Sequence, residues 1–145
     1  MPSNIAAVAA SFKAEILSGI QDLLAGGDTL KVALYYQGSG LGYATTAYST
    51  SGEISGAGYT AGGITVTNGV SPTYSGTAAY WTPTADWQWT GLTVTGNVDS
   101  ALMYNASKSN RAIAVFTFPV ETFSSSTFIL KMPVNGVGTG LLQVS

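Results

Sequence analysis

The feature that most constrains this chain is a glycine-rich stretch, residues 53–67, which reads Glu-Ile-Ser-Gly-Ala-Gly-Tyr-Thr-Ala-Gly-Gly-Ile-Thr-Val-Thr. Its four glycines allow a positive φ or a close approach of two backbones, and packed β-proteins need both at bulges and turns. The alternating run at residues 64–67 favours a strand. The stretch therefore predicts a tight corner between two sheets.

One part of this stretch, residues 56–61, matches the dinucleotide-binding fingerprint G-x-G-x-x-G/A. That fingerprint binds a pyrophosphate because a strand enters the turn and a helix begins directly after it. Here Gly62 and Gly63 follow, and then a run of β-formers rather than a helix. The sequence therefore favours a β-corner over a nucleotide site, and it predicts no cofactor.

The composition indicates a single domain with an unusually uncharged surface. A chain of 145 residues can bury a core without disulfides or metal. Only 8% of the residues are charged and 46% are apolar, whereas a soluble domain usually carries about 25% charged residues. Such a surface is either covered by partners or coated with Ser and Thr, and both readings predict a component of an assembly.

The charged residues and the missing residue types exclude several functions. Five basic residues and a net charge of −2 argue against nucleic-acid binding, which needs clustered Lys and Arg. The chain has no His and no Cys, so most transition-metal sites and the usual nucleophilic constellations are excluded. The acidic residues are scattered singly along the chain. The fold could still bring two of them together as a glycosidase-like pair of carboxylates, and this is the one catalytic arrangement that the sequence leaves open. We predict a non-enzymatic protein.

No segment of the sequence predicts a membrane partner. The start of the chain lacks the basic region of a secretory signal. No stretch approaches the roughly 18 apolar residues that a membrane-spanning helix requires. We therefore expect a soluble protein made in the cytoplasm.

The N-terminal region predicts one amphipathic helix over residues 5–25, ended by Gly26 and Gly27. Its apolar stripe consists of Phe12, Ile16, Ile20, Leu23 and Leu24. The helix can cover a sheet of its own domain, or it can act as an arm that docks on a neighbouring subunit. We therefore divide the chain into an N-terminal helix or arm at residues 1–27 and a β-sandwich at residues 28–145.

The rest of the chain predicts about eight to ten short strands separated by turn signals, a pattern typical of a jelly-roll-like β-sandwich. Asn68-Gly69 is the strongest hairpin signal, a turn is expected at residues 97–99, and Pro119 is expected to break a central strand. A shift of face or a bulge is expected at Gly91. The predicted strands are residues 30–36, 44–48, 64–67, 70–74, 77–81, 86–94, 101–105, 111–118, 127–132 and 141–144.

Aromatic residues are concentrated in the middle of the chain. Tyr80, Trp81, Trp87 and Trp89 lie within ten positions of one another, and the period of two places Trp87 and Trp89 on one face of a strand. Such a group usually packs in a core or an interface, and a sugar-stacking platform is the alternative. Sugar binding would require Trp87 and Trp89 to be exposed.

Several segments of the chain resemble a family of small β-rich structural proteins of tailed bacteriophages. The matching segments are residues 12–20, 30–35, 44–48, 56–63, 101–108 and 110–115, with a Thr-Phe strand that ends near Pro133. The chain departs from the family at residues 135–140, which are richer in glycine. The resemblance carries no catalytic motif.

From this resemblance we expect a capsid decoration, or cement, protein. Its expected partners are the major capsid protein and further copies of this chain in a homotrimer. It would bind the outer surface of the head within a virion that assembles in the host cytoplasm. A tail, neck or fibre-attachment component is the alternative, and a carbohydrate-binding module is the third hypothesis. The residues expected to contact partners are Phe12, Ile16, Ile20, Tyr80, Trp81, Trp87 and Trp89.

Overall fold

The structure is a computed structural model that describes residues 5–145, with side chains from residue 7 onward. The described residues form nine β-strands in two antiparallel sheets and one short helix, which confirms the mainly β class. In chain order the elements are β1 (Ile5–Val8), α1 (Ala10–Leu17), β2 (Leu30–Tyr36), β3 (Gly56–Ala57), β4 (Ile64–Thr65), β5 (Thr73–Ser75), β6 (Ala78–Trp81), β7 (Trp87–Asn105), β8 (Arg111–Leu130) and β9 (Leu142–Val144).

A long hairpin of β7 and β8 forms the centre of the larger sheet. The strand order of this sheet is β1-β8-β7-β2-β4, and the short β3 pairs with the first half of β7. The smaller sheet has the order β5-β6-β9. Side chains of both sheets belong to one hydrophobic core, which includes Trp81 and Leu142 of the smaller sheet. This arrangement is sandwich-like, and the jelly-roll connectivity stays a prediction.

The predicted turn at residues 97–99 and the predicted break at Pro119 are both wrong, because each strand continues through a bulge. Between the pairs Val98–Glu121 and Ser100–Thr117, β8 advances four residues while β7 advances two. Pro119 lies in this irregular part of β8 and is exposed, so its missing N–H removes no regular ladder bond. The predicted irregularity at Gly91 is confirmed, because the register shifts between Trp89 and Leu92.

The helix is shorter than predicted, since residues 5–8 form β1, which pairs with β8, and α1 ends at Leu17. Gly19 has a φ of +69° and ends the helix. The Ile20 N–H donates to the Glu15 carbonyl at 2.9 Å, and the Gly19 N–H donates to the Ile16 carbonyl at 3.1 Å. These two bonds form the Schellman motif that a left-handed glycine permits. The C-terminal glycine signal therefore comes from Gly19 and not from Gly26.

The glycine-rich stretch follows the larger sheet instead of forming a corner between sheets. β3 pairs with β7, and β4 pairs with β2 through Val32 and Ile64. Gly63 has a φ of +75°, and a Cβ at this position would lie 1.7 Å from the Val32 carbonyl oxygen. The predicted close backbone approach is thus confirmed at Gly63. Strand β4, and no helix, follows the fingerprint-like segment.

Asn68 and Gly69 do not close the predicted hairpin, because the strands on either side belong to different sheets. The Asn68 side chain instead ties three segments together. Its Nδ2 donates to the carbonyls of Leu23 and Leu24 at 2.9 and 3.1 Å, and its Oδ1 accepts from Trp81 Nε1 at 3.2 Å. Hydrogen bonds from Asn68 to distant parts of the chain therefore outweigh the local preference of Asn-Gly for a hairpin turn.

Candidate functional site

An apolar cleft of about 550 Å³ lies between α1 and the smaller sheet. Most of the side chains that line it are apolar, among them Phe12, Ile16, Leu17, Tyr80, Trp81 and Val144. Lys13 is the one charged side chain among the described residues that line it. A concave apolar surface of this size is typical of a site that binds another molecule.

An ion pair positions the helical wall of the cleft. Arg111 Nη1 at the start of β8 donates to Glu15 Oε1 at 2.8 Å, and Gln21 Nε2 donates to Glu15 Oε2 at 2.6 Å. Glu15 is buried, so its carboxylate needs both partners. Because Glu15 faces β8, Phe12 packs into the core while Leu17 faces outward. The helix therefore packs on its own domain.

A second polar network holds the segment that follows the helix. Asn105 Nδ2 donates at 2.7 Å to Gln21 Oε1 and at 2.7 Å to Asp28 Oδ2. The Asp22 N–H also donates to Asp28 Oδ2, at 3.1 Å, and Lys108 Nζ lies 3.7 Å from Asp28 Oδ1. These bonds attach the segment to the end of the β7–β8 hairpin. Together with the Glu15–Arg111 ion pair, these bonds fix the C-terminal half of the helical wall.

The floor of the cleft comes from β6 and β9. Trp81 pairs with Leu142, and Tyr80 pairs with Gln143 across the two strands. The Trp81 ring is buried, and its Nε1 donates to Asn68 Oδ1 at 3.2 Å and to the Val70 carbonyl at 3.1 Å. Two part-buried hydrogen bonds therefore fix the Trp81 indole in the floor.

The cleft brings together four of the seven predicted contact residues. Phe12 and Ile16 of the helical wall line it together with Tyr80 and Trp81 of the floor, although Phe12 and Trp81 are buried. Ile20 is half-buried and lies outside the lining.

The structure places Trp87 and Trp89 in the core, where they cannot contact a partner on the surface or stack on a sugar. Their side chains are 1% and 3% exposed. Trp87 meets Phe116 edge-on with ring centres 5.1 Å apart, and Trp89 stacks on Phe128 at 6.0 Å. The period of two was correct in placing both rings on one face, and that face is the buried one.

Sequence reasoning missed two residues of the cleft rim, Leu17 and Val144, which are 91% and 61% exposed. Leu17 lies off the predicted apolar stripe, and Val144 lies on a three-residue strand. The sequence does contain a signal for Leu17, because a large apolar side chain occupies a helix position outside the apolar stripe, where a polar residue is expected.

A second group of interacting polar side chains surrounds Glu53. Its Oε2 accepts from the Tyr48 hydroxyl at 2.6 Å, and its Oε1 accepts from the Tyr59 hydroxyl at 2.7 Å and from the Gly62 N–H at 2.6 Å. The Tyr104 hydroxyl donates to the Gly62 carbonyl at 2.8 Å. Each of these donors has an acceptor, so we interpret the group as a structural tie between the glycine-rich stretch and the larger sheet.

Burial makes the tyrosines of this group difficult to ionise. It raises the pKa of Tyr104 to about 12, with the Glu53 charge adding to the effect. Burial is also the largest cause that raises the pKa of Tyr35, of Tyr48 and of Tyr59, and the negative charge of Glu53 contributes in each case. The hydroxyls therefore stay protonated and act as hydrogen-bond donors.

We expect stability to fall in strongly alkaline solution because of these tyrosines. Their hydroxyls ionise at lower pH in the unfolded chain, where the ordinary pKa is 10.0. Their contribution is fully present below that pH and is lost as pH rises toward about 12. Urea unfolding at a series of pH values, with tyrosinate absorbance followed in parallel, measures the loss. Tyr104→Phe should make the fall shallower, and ionisation of all tyrosines before unfolding would contradict the prediction.

Residues 5–145 contain neither a cluster of metal ligands nor a helix that could cross a membrane. No group of three or more acidic residues is arranged to hold a metal ion within residues 5–145. In that same part of the chain, no helix has the length and apolar character needed to span a bilayer. Comparison of the chain with protein-family models, with curated proteins and with solved structures finds no match.

Proposed function

We propose that this chain is a non-enzymatic structural protein of a tailed-phage virion, and specifically a capsid decoration protein that binds the outer head surface. The observation that supports this proposal is the apolar cleft with its exposed rim. Ile16, Leu17 and Val144 leave apolar surface in water beside a cleft of about 550 Å³. Covering that surface with a partner is favourable because it removes apolar area from water.

The scarcity of charge supports a large protein interface. Interface centres are depleted in charged residues, and only 8% of this chain is charged. Three of the five basic side chains, those of Lys108, Arg111 and Lys131, lie beside acidic partners within the chain. The proposed partners are therefore the major capsid protein and copies of this chain in a trimer, rather than nucleic acid.

Binding at the cleft would stabilise the assembled capsid of the phage head. A protein that bridges capsid subunits binds only the assembled shell, so it shifts the equilibrium toward the shell. The Glu15–Arg111 ion pair holds α1 on its own domain. In this proposal the helix therefore presents one wall of the docking cleft instead of leaving as a free arm.

A tail, neck or fibre-attachment component is the second candidate, because the same cleft suits any protein partner in a virion. Copy number distinguishes the two. Quantitative mass spectrometry of purified particles that carry this chain gives its ratio to the major capsid protein. A ratio near one to one supports decoration of the whole head, and a few copies per hundred capsid subunits would overturn it in favour of the neck or tail.

The cleft rim provides a direct binding prediction. We expect Leu17→Glu to weaken binding to undecorated heads by at least about tenfold, because docking would bury an unpaired carboxylate. Co-sedimentation with heads measures the affinity, and the melting temperature should stay close to that of the original chain, since Leu17 is exposed.

The matched control is Val134→Glu. Val134 is 75% exposed and lies outside the cleft lining, so introducing the same glutamate there should leave binding intact. Equal affinity of the two variants would remove the cleft from the proposed interface.

A further inference from the structure

The chain contains the tripeptide Asn-Gly-Val twice, at residues 68–70 and 135–137, in two different environments. We propose that Asn135 is a site of spontaneous deamidation and that the fold protects Asn68 from the same reaction. The identical local sequence makes the pair a built-in comparison. A difference between the two rates that disappears in denaturant then comes from the folded structure.

The reaction needs only water and an accessible backbone nitrogen. The Gly136 nitrogen attacks Cγ of Asn135, the Cγ–Nδ2 bond breaks, and ammonia leaves with the proton of the backbone amide. Water then opens the cyclic imide at either carbonyl and yields aspartate or isoaspartate. Glycine favours the attack because it has no Cβ beside the nitrogen.

Asn135 is placed for this reaction. It lies in an exposed turn between β8 and β9. Within residues 5–145, neither its side-chain amide nor the Gly136 N–H forms a hydrogen bond. The side chain is therefore free to rotate onto the nitrogen.

Asn68 is held away from the reaction by four hydrogen bonds. Three involve its side chain, with the carbonyls of Leu23 and Leu24 and with Trp81 Nε1. The fourth engages the attacking nitrogen itself, because the Gly69 N–H donates to Thr84 Oγ1 at 3.2 Å. All of these bonds must open before the Gly69 nitrogen can reach Cγ of Asn68.

Conversion of Asn135 alters the loop that leads into β9. The Gly136 carbonyl accepts from the N–H groups of Thr139 and Gly140 at 3.2 and 2.8 Å. The Gly138 N–H donates to Gln143 Oε1 at 2.8 Å, and Gln143 lines the cleft. Isoaspartate inserts a methylene into the backbone before Gly136, and both products add a negative charge. An effect on docking rests on the proposed function, whereas the reaction itself does not.

The test is incubation of the purified protein in mildly alkaline buffer, with both sites followed by peptide mass spectrometry. We expect native Asn68 to convert on the order of a hundredfold more slowly than Asn135, since several hydrogen bonds must open together. In denaturant the two rates should become comparable. Similar native rates, or a large difference that persists in denaturant, would overturn the proposal.

Two variants separate the causes. Thr84→Ala removes the acceptor of the Gly69 N–H, so it should speed conversion of Asn68 severalfold and leave Asn135 unchanged. Asn135→Gln should suppress conversion at residue 135. Binding of aged protein to heads is measured separately, so that a failure of the docking proposal leaves the chemical result intact.

Discussion

Trp87→Ala is expected to lower the free energy of unfolding by about 3 to 5 kcal/mol, the range for removing a large aromatic side chain from a core. Trp87 begins β7, is 1% exposed and packs edge-on against Phe116. Its removal leaves a cavity that the paired strands around it cannot fill by moving. Urea unfolding followed by circular dichroism measures the loss.

Trp87→Phe is the matched control for this change. The Trp87 Nε1 has no hydrogen-bond partner among the described residues, so phenylalanine removes a buried unpaired donor while keeping most of the ring volume. We expect a loss below about 2 kcal/mol, in keeping with a smaller cavity. If Trp87→Ala unfolds at the urea concentration of the original chain, Trp87 does not lie in the core and the sugar-stacking hypothesis returns.

Gly63→Ala is expected to destabilise the fold by at least about 3 kcal/mol, from the left-handed backbone and the steric overlap together. The φ of Gly63 is +75°, and the added Cβ would lie 1.7 Å from the Val32 carbonyl oxygen. Relief of that overlap requires β4 to separate from β2. The expected observation is a large fall in the urea midpoint, with loss of hydrogen-exchange protection in β4.

Gly76→Ala separates the cost of the left-handed backbone from the cost of the steric overlap. Gly76 also has a positive φ, +59°, but nothing lies within 4 Å of an added Cβ. Because no atom of residues 5–145 meets the added Cβ, the change carries only the cost of the left-handed conformation, about 1 to 2 kcal/mol. Equal losses for the two variants would show that the approach of Gly63 to Val32 adds nothing.

Local pattern predicted the strands well and their boundaries poorly. Strand β2 occupies the predicted residues, because apolar and β-forming side chains run without interruption from Leu30 to Tyr36. The break at Pro119 and the turn at residues 97–99 were wrong because pairing between β7 and β8 outweighs local turn propensity. The predicted strand at residues 44–48 is wrong, since this segment contributes only an isolated bridge between Ala47 and Arg111, where β8 begins. Pairing partners are distant in sequence, and a local window does not contain them.

The candidate site was predictable in part. The stripe containing Phe12 and Ile16 indicated the helical wall, and the aromatic run indicated Tyr80 and Trp81. The sequence pattern does not show on which sheet the helix packs. The position of the helix depends on the ion pair between Glu15 and Arg111, which are 96 positions apart in the sequence and come into contact only in the folded chain. For the same reason the sequence pattern places Trp87 and Trp89 on one face of a strand but does not show that this face is buried.

The irregularities of the β7–β8 hairpin have a consequence for register. Trp87 lies opposite Leu130, Val94 opposite Phe123 and Met103 opposite Ala114, and these three pairs obey one antiparallel alignment despite the four register shifts between Trp89 and Ser100. The extra residues on one strand are therefore cancelled by extra residues on the other. Since a slip by one residue exchanges the two faces of a strand, this cancellation restores the same pairing of β7 and β8 on either side of the irregular segment, in a ribbon twenty residues long.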